Sequence, residues 1–250
     1  MSNRSIHTLL KNWDEECPLT REEAVEVLNL PEEEMDSLME CAYALRTKYK
    51  GKKVSVQLLT NVRSGNCTQN CAYCAQSKDS QAEIEKYKRV SDEKLYGDND
   101  LVDEKHLARH CIGLSGIGFS DEEIEDLADR IREMKKKDTQ ICCSIGFLTE
   151  KQARILKDAG LDRINHNLNS SRSFYPEICT THTYDQRVNN IKMLQSLGFE
   201  ICSGGIVGMG ESKEDIVDML MDLREINPES VPINFLLPIP GTRLADRDIS

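Results

Sequence analysis

The sequence lacks the features that mark membrane, exported and nucleic-acid-binding proteins. No apolar run reaches the roughly 18 residues that a membrane-spanning helix needs. Charged residues are spread through positions 1–18, which leaves no apolar core for a signal peptide. Basic residues are outnumbered by acidic ones, 32 to 43, so the net charge is −11 and no basic surface for phosphates is expected. We therefore expect a cytoplasmic protein that acts on small molecules, with no membrane or nucleic-acid partner.

Cysteine, by contrast, is abundant, with ten copies. In a reducing compartment such thiols more often bind metals or catalyse reactions than form disulfides. Cys67, Cys71 and Cys74 lie within eight residues, and no second C-x2-C pair follows, although a zinc ribbon usually has one. A four-iron cubane normally takes one cysteine per iron, so three thiols would leave one iron open to another ligand. The spacing favours an iron–sulfur cluster, with a zinc site and plain buried thiols as the alternatives.

From residue 53 onward, short apolar segments alternate with helical patterns, which favours a parallel α/β fold. Strands are predicted at about 54–62, 109–114, 140–145, 162–168, 199–207 and 231–239. The cysteine loop follows the first strand, at the carboxyl end where α/β barrels place their chemistry. We predict a TIM-type barrel domain over 51–250 that holds about six strands and is incomplete at its C-terminus, after a helical extension over 1–50.

Local signals mark where the helices begin and end. Capping boxes of the S/T-x-x-E/Q type are predicted at Thr20/Glu23, Ser120/Glu123, Thr149/Gln152 and Thr183/Gln186, with Ser212 a further cap. Pro31 can begin a helix whose apolar stripe of packing residues is Met35, Leu38, Met39, Ala42 and Leu45. Cys17 and Cys41 are interpreted as structural thiols. Residues 97–100, Gly-Asp-Asn-Asp, are expected to interrupt any helix within 81–109.

Three other groups of residues could carry chemistry. Cys111, Cys142 and Cys202 lie on separate predicted strands and could point into one lumen, although cysteines more often simply fill a core. Cys143 would face the opposite way, because side chains alternate along a strand.

The second group is the segment from Asn165 to Asn169. On a strand, its three asparagines would form an amide-lined patch suited to a urea-like ligand, unless the strand frays and they serve local turns. Asn234 adds an amide within an apolar run. The third group, the glycine-rich stretch 204–211, lacks the spacing of a dinucleotide site; it fits a tight turn, or a close approach of the backbone to a flat ligand.

The C-x3-C-x2-C motif, with Tyr73 before its last cysteine, resembles the signature of the radical S-adenosylmethionine (SAM) superfamily. Four further segments resemble the biotin synthase family, and the similarity extends over about 50–246. They are Asn165-His166-Asn167-Leu168, Thr180-Thr181-x-Thr183-Tyr184-x-x-Arg187, Cys202-Ser203-Gly204-Gly205-Ile206-Val207-Gly208 and Glu229-Ser230-Val231-Pro232-Ile233-Asn234.

The resemblance implies an enzyme that inserts sulfur between two saturated carbons of dethiobiotin to give biotin, using two SAM-derived radicals. It implies a [4Fe–4S] cluster on Cys67, Cys71 and Cys74, and an auxiliary cluster on Cys111, Cys142 and Cys202, of the [2Fe–2S] type, that supplies the sulfur. The implied SAM contacts are Tyr73, Asn167, Asn169, Arg187, Gly205 and Ile206, and the implied substrate contacts are Asn165, Asn167 and Asn234. A homodimer and an electron donor such as flavodoxin or ferredoxin are also implied.

The sequence departs from the family pattern at two points. Asn169 stands where the family usually has an aspartate that contacts the SAM ribose, so the charge of that contact is lost. The family's fourth ligand to the auxiliary cluster is an arginine on a later strand, which the sequence does not reach before Ser250. The alternatives are a related radical SAM maturase or mutase that shares the first cluster, or a truncated iron–sulfur scaffold without activity.

Overall fold

The computed structural model describes residues 18–248, which fall into two compact units divided between Ser55 and Val56. The described part of the first unit has helix α1 (Arg21–Leu28), a 3-10 turn (Glu32–Glu34) and helix α2 (Met35–Lys50). Thr20 forms the predicted capping box with Glu23, and α2 ends at Gly51, which has a φ of +63°. Cys17 lies outside the described residues.

The apolar stripe of α2 does not pack as predicted. No residue of the helix is buried, and the Met39 side chain is 67% exposed. The prediction that these are packing residues was therefore wrong for the described chain, because helical periodicity marks an apolar face without providing a partner for it.

The second unit alternates strands with helices. Its strands are β1 (Gln57–Arg63), β2 (Arg109–Leu114), β3 (Ile141–Ser144), β4 (Arg163–Asn165), β5 (Glu200–Cys202), β6 (Gly205–Val207) and β7 (Ile233–Phe235). Its helices are α3 (Asp92–Glu104), α4 (Asp121–Met134), α5 (Glu150–Asp158), α6 (Tyr175–Ile178), α7 (Tyr184–Ser196) and α8 (Lys213–Ile226). Capping boxes begin α4, α5, α7 and α8 at the predicted residues.

The strands form two parallel sheets, one of five strands in the order β1-β2-β3-β4-β5 and one that pairs β6 with β7. Isolated bridges join Asn169 to Gly205 and Cys202 to Ser230, so the second sheet continues from the first. This is the predicted α/β architecture of the TIM-barrel type. Because all the strands run the same way, their carboxyl ends and the loops that follow them gather at one end of the unit.

The predicted strand at 199–207 is divided into β5 and β6. The division falls at Ser203 and Gly204, where the chain passes so close to the next segment that a Cβ on Gly204 would lie 1.8 Å from the carbonyl oxygen of Pro232. Only glycine allows this approach. The described residues therefore form seven strands instead of about six.

Helix α3 contradicts the expected break at residues 97–100. Ser91 caps it, and the helix runs through Gly97 to Glu104 with Leu95, Asn99 and Val102 buried. Asn99 donates to the backbone oxygen of Met134, which replaces the turn that an asparagine would otherwise favour. Tertiary contacts on one face thus outweigh the weak helix propensity of this stretch.

The core lies between the five-stranded sheet and its helices. Ile112 of β2, Ile131 of α4 and Leu156 of α5 are fully buried within one hydrophobic cluster. By contrast, Ile233 and Phe235 of β7 are exposed, and so is Asn234 between them, although the run 231–239 was predicted as an apolar strand. None of the helices described between residues 18 and 248 combines the length and apolarity that a membrane span requires.

Candidate active site

A cavity of about 420 Å³ opens at the carboxyl ends of the strands. It collects most of the residues singled out in the sequence, although Cys67 and Asn234, the two farthest apart, are separated by 167 positions. Those that line it are Cys67, Cys71, Tyr73, Cys74, Asn165, Asn167, Asn169, Arg187, Ile206 and Asn234. Gly205 does not line it, because a Cβ at this position would lie 2.1 Å from the sulfur of Met219. The glycine instead allows β6 to pack closely against α8.

The cysteine loop is fixed by the segment that follows α6. The backbone N–H of Ala72 donates to the carbonyl oxygen of Ile178 at 2.9 Å, and the side-chain oxygen of Asn70 accepts from the backbone N–H of Thr180 at 3.0 Å. Arg243 donates to the carbonyl oxygens of both Asn70 and Ile178, at 2.9 and 3.0 Å. These contacts hold the loop in place at the mouth of the barrel.

The donor set on this loop fits an iron–sulfur cluster. Cys67, Cys71 and Cys74 are all half-buried, unpaired thiols that line the same cavity. Thiolates are the ligands of such clusters, and three of them leave one iron without a protein ligand.

A fourth cysteine, Cys179, lies beside this set. The thiol of Cys71 donates to Sγ of Cys179, 3.9 Å away, which raises the pKa of Cys71 and lowers that of Cys179 to about 3. The ring of His182 also lies next to the Cys179 sulfur, with Nδ1 at 3.3 Å. Together Cys71, Cys179 and His182 form a compact group of possible metal ligands.

Arg187 is held by three partners, none of which is a carboxylate. Its Nη1 donates to the carbonyl oxygen of Asn167 at 3.0 Å, its Nε to the hydroxyl of Tyr175, and its Nη2 to Nε2 of His182 at 2.8 Å. The guanidinium therefore lies in the cavity wall with its charge available to an anionic ligand.

The asparagine segment, residues 165–169, has features of both predicted alternatives, an amide-lined patch and a strand that frays into a turn. Strand β4 ends at Asn165, and Asn169 adopts a left-handed φ of +72°, so the strand does fray. Asn167 Oδ1 accepts from the N–H of Gly204 at 3.0 Å, and the backbone of Asn169 pairs with Gly204 and Ile206. The three side chains nevertheless line the cavity, together with His166. His166 is buried with its ring against that of Phe147, their centroids 5.1 Å apart.

The second cysteine set lies deeper in the sheet. Cys111 of β2 pairs in register with Cys142 of β3, and Cys142 interacts electrostatically with Cys202 of β5. Paired residues on parallel strands point to the same face. Cys143, the neighbour on the opposite face, is fully buried in the core.

Two arginines border this set. Arg163 pairs in register with Cys142, and both Arg163 and Arg109 form ion pairs with Glu200, at 2.7 and 3.1 Å. A hydrogen bond from Cys142 lowers the pKa of Cys111, and the two guanidinium groups lower it further. Three thiols with nearby positive charge fit an anionic iron–sulfur cluster. These cysteines do not line the cavity, but Asn165 links the two sites by donating to the Cys202 sulfur at 3.2 Å.

Known proteins resemble the chain over most of its length. Residues 61–223 match the model of the radical SAM superfamily. A biotin synthase of Geobacillus kaustophilus is 42% identical to the chain over 228 residues, which cover 91% of this chain and 68% of that protein. The chain belongs to the biotin synthase family. A biotin synthase of Bacillus subtilis strain 168 is 40% identical over 227 residues, with 90% of this chain and 68% of that protein covered.

Solved structures outside the biotin synthase family share its fold. A methylornithine synthase superposes with a TM-score of 0.85 at 18% identity, covering 98% of this chain and 73% of that one. The [FeFe]-hydrogenase maturase of Carboxydothermus hydrogenoformans superposes with a TM-score of 0.82 at 20% identity, covering 98% and 60%. The sequence matches make the chain a radical SAM enzyme of the biotin synthase family. It spans about two-thirds of the length of the two biotin synthases.

Sequence reasoning missed three residues of this site: Tyr175, Cys179 and His182. Tyr175 and His182 hold Arg187, and Cys179 lies against a cysteine of the loop. Cys179 belongs to neither predicted cysteine set, and His182 is the unassigned position x in the segment from Thr180 to Arg187. Their closeness in sequence to Arg187 was the available signal.

Proposed function

We propose that this chain converts dethiobiotin to biotin through three groups of residues that act at one cavity and at the cysteine set beneath it. The observation that carries the proposal is the convergence of the three-cysteine loop, the Arg187 guanidinium and the asparagine amides on a single cavity. Each group suits a different part of the reaction.

In this proposal Cys67, Cys71 and Cys74 hold a [4Fe–4S] cluster whose open iron takes SAM. When bound, the cluster and SAM supply the radical that removes hydrogen from carbon. Arg187 pairs with the carboxylate of SAM, because a planar guanidinium binds a carboxylate through charge-assisted hydrogen bonds. Tyr175 and His182 set its direction, while Tyr73, Asn169 and Ile206 line the remaining SAM site, with Gly205 in support.

The ureido ring of dethiobiotin has one carbonyl and two N–H groups, which match the acceptor and donor atoms of side-chain amides. We assign this recognition to Asn165, Asn167 and Asn234. Asn167 is already fixed through its Oδ1 to the backbone of Gly204, so the amide is held before substrate arrives. Holding the substrate carbon beside the cofactor and excluding water are the contributions of the protein.

Cys111, Cys142 and Cys202 would hold the auxiliary cluster, of the [2Fe–2S] type, that supplies sulfur. Arg109 and Arg163 lower the pKa of Cys111 and so favour its anionic form, while Glu200 keeps the two guanidinium groups in place. The electron donor would be a flavodoxin or ferredoxin, and the chain would act as a cytoplasmic homodimer.

The test is anaerobic reconstitution of the chain with iron and sulfide, followed by incubation with SAM, dethiobiotin and a reductant. Formation of both 5′-deoxyadenosine and biotin is the expected result. Formation of deoxyadenosine without biotin would support the assignment of the radical site and overturn the assignment of sulfur insertion. Absence of both products from a chain that has bound iron would overturn the assignment of the radical site as well.

A further inference from the structure

Cys179 belongs to neither of the cysteine sets assigned to clusters, yet it is the thiol in contact with Cys71. The two sulfur atoms lie 3.9 Å apart, and Cys179 is 2% exposed. Cys71 lines the cavity and can be reached by a small molecule, whereas Cys179 lies behind it.

The backbone holds these two residues together. Ala72 and Ile178, their immediate neighbours, share a hydrogen bond of 2.9 Å, and Arg243 binds the carbonyl oxygens of Asn70 and Ile178. The approach of Cys71 to Cys179 is therefore fixed on both sides and does not depend on side-chain rotamers alone. A short movement of each sulfur would bring the pair to bonding distance.

The third member of this group, His182, is not free to bind a metal. Arg187 can only donate, so its contact at 2.8 Å uses the lone pair on Nε2. The side-chain oxygen of Gln69 accepts at 2.8 Å from Nδ1, which must then carry the ring proton. With both nitrogens engaged, the structure leaves a pair of thiols rather than a three-ligand metal site.

We propose that Cys71 and Cys179 form a reversible disulfide when the chain holds no cluster. The disulfide removes Cys71 from the ligand set and protects it from irreversible oxidation until the cluster is assembled. The inference rests on the proposed role of Cys71 as a cluster ligand. In the loaded chain Cys71 is bound to iron, and Cys179 remains a free thiol beside it.

The oxidant is a small disulfide such as oxidised glutathione. Cys71 passes its proton to the Cys179 sulfur, to which it already donates, and then attacks one sulfur atom of the oxidant, which forms a mixed disulfide and releases one glutathione thiolate. Cys179 then attacks the Cys71 sulfur, forms the internal disulfide and releases the second glutathione. The protein pair loses two electrons, which reduce glutathione disulfide to two thiols, and the two thiol protons pass to these products.

Peptide mapping of the cluster-free chain tests this directly. The chain is stripped of iron without oxygen, treated with oxidised glutathione, alkylated and cut with trypsin. Cys67, Cys71 and Cys74 then lie in the peptide 64–78, and Cys179 in the peptide 173–187. We expect these two peptides to be joined, with fragmentation placing the bond at Cys71. A bond from Cys71 to Cys67 or Cys74, or glutathione left on Cys71 of the wild-type chain, would overturn the proposal.

Two variants provide the comparison. Cys179→Ser keeps a polar group of similar size next to His182, and it should lose the cross-link and retain glutathione on Cys71. Cys143→Ala removes a buried thiol of β3 that has no contact with Cys71 or Cys179 among the hydrogen bonds described, and should leave the cross-link unchanged. Equal melting temperatures of the reduced proteins show that the variants are folded. A cross-link that disappears equally in both variants would contradict the assignment.

Cluster loading separates this inference from the function on which it rests. Reduced wild-type and reduced Cys179→Ser should load iron and sulfide equally, and the oxidised wild-type chain should lose loading until dithiothreitol is added. If neither reduced chain loads, the ligand role of Cys71 is wrong and the switch fails with it. If both load normally but the wild-type chain gives no cross-link, the switch alone is wrong.

Discussion

Asn165 donates a hydrogen bond from its side-chain amide to the sulfur of Cys202, across 3.2 Å. The two residues pair in register on β4 and β5, so the contact is set by the sheet. Asn165 also lines the cavity, whereas Cys202 does not. One side chain thus connects the proposed substrate pocket with the proposed source of sulfur.

Asn165→Asp should weaken the auxiliary site, because a carboxylate beside the Cys202 sulfur replaces a donor with a like charge. We expect iron and sulfide per chain to fall toward the content of the four-iron cluster alone. Elemental analysis and visible absorption after reconstitution measure this. Asn190→Asp alters an amide that binds the backbone of Leu148 and should leave the iron content unchanged. Full iron content in Asn165→Asp would refute the link.

Removal of single cysteines should separate the two halves of the reaction. Cys71→Ala should abolish formation of both 5′-deoxyadenosine and biotin, whereas Cys202→Ala should retain deoxyadenosine and lose biotin. Cys143→Ala, on the opposite face of β3, should retain both products. Chromatographic quantification of the two products is the measurement, and a normal biotin yield from Cys202→Ala would exclude Cys202 from the sulfur source.

Arg187→Met should raise the KM for SAM. A charge-assisted hydrogen bond contributes about 1.5–3 kcal/mol, which corresponds to about 10- to 150-fold in affinity. Arg187→Lys keeps the charge without the planar fork and should give a smaller increase. Arg172→Lys changes an exposed ion pair with Asp185 and should leave the KM unaltered. An unchanged KM in Arg187→Met would place the SAM carboxylate elsewhere.

Burial lowers the pKa of His166 to about 3, below its ordinary value of 6.5. Between these two values the unfolded chain binds a proton at His166 that the folded chain does not. The contribution of His166 to the free energy of unfolding is therefore complete above pH 6.5 and is lost as the pH drops toward 3. Through this one group, the free energy of unfolding changes by at most about 1.4 kcal/mol per pH unit. Denaturant unfolding at pH 7.5 and pH 5 should show a smaller difference in His166→Phe than in the wild type. Equal differences would mean that His166 is already charged in the folded chain.

Two glycines should respond in opposite ways to alanine. At Gly204 the new Cβ would meet the carbonyl oxygen of Pro232 at 1.8 Å, a backbone atom that cannot move away alone. We expect destabilisation of about 1–3 kcal/mol. At Gly97, within α3, a Cβ has nothing within 4 Å. Alanine there should stabilise by about 0.5–1 kcal/mol. Thermal melting distinguishes the two, and a stable Gly204→Ala would show that β6 and Pro232 separate readily.

Local signals were enough to predict most of the architecture. The capping boxes at Ser120, Thr149 and Thr183 begin helices as predicted, and β2 has its predicted bounds, because both signals depend on residues near in sequence. The cavity-facing positions of Arg187 and of the asparagine segment also followed from the resemblance to the family.

The features that the sequence did not predict depend on contacts between segments that are far apart in the chain. Helix α3 runs through Gly97 because Asn99 finds a partner at Met134, 35 positions away, and β5 and β6 separate because Gly204 meets Pro232. The contact of Cys71 with Cys179 spans 108 positions. Each depends on which segments meet in three dimensions, and no local pattern contains that information.

Arg243 binds the carbonyl oxygens of Asn70 and Ile178 from a position close to the end of the described chain. This has a consequence for the order of events during synthesis on the ribosome. The cysteine loop is translated early, but the arginine that locks it emerges about 170 residues later, after all seven of the described strands. At translation speeds of about 5–20 residues per second, the loop waits roughly ten to thirty seconds before it is fixed. During that interval its three thiols contact only water and the neighbouring segments that have already folded.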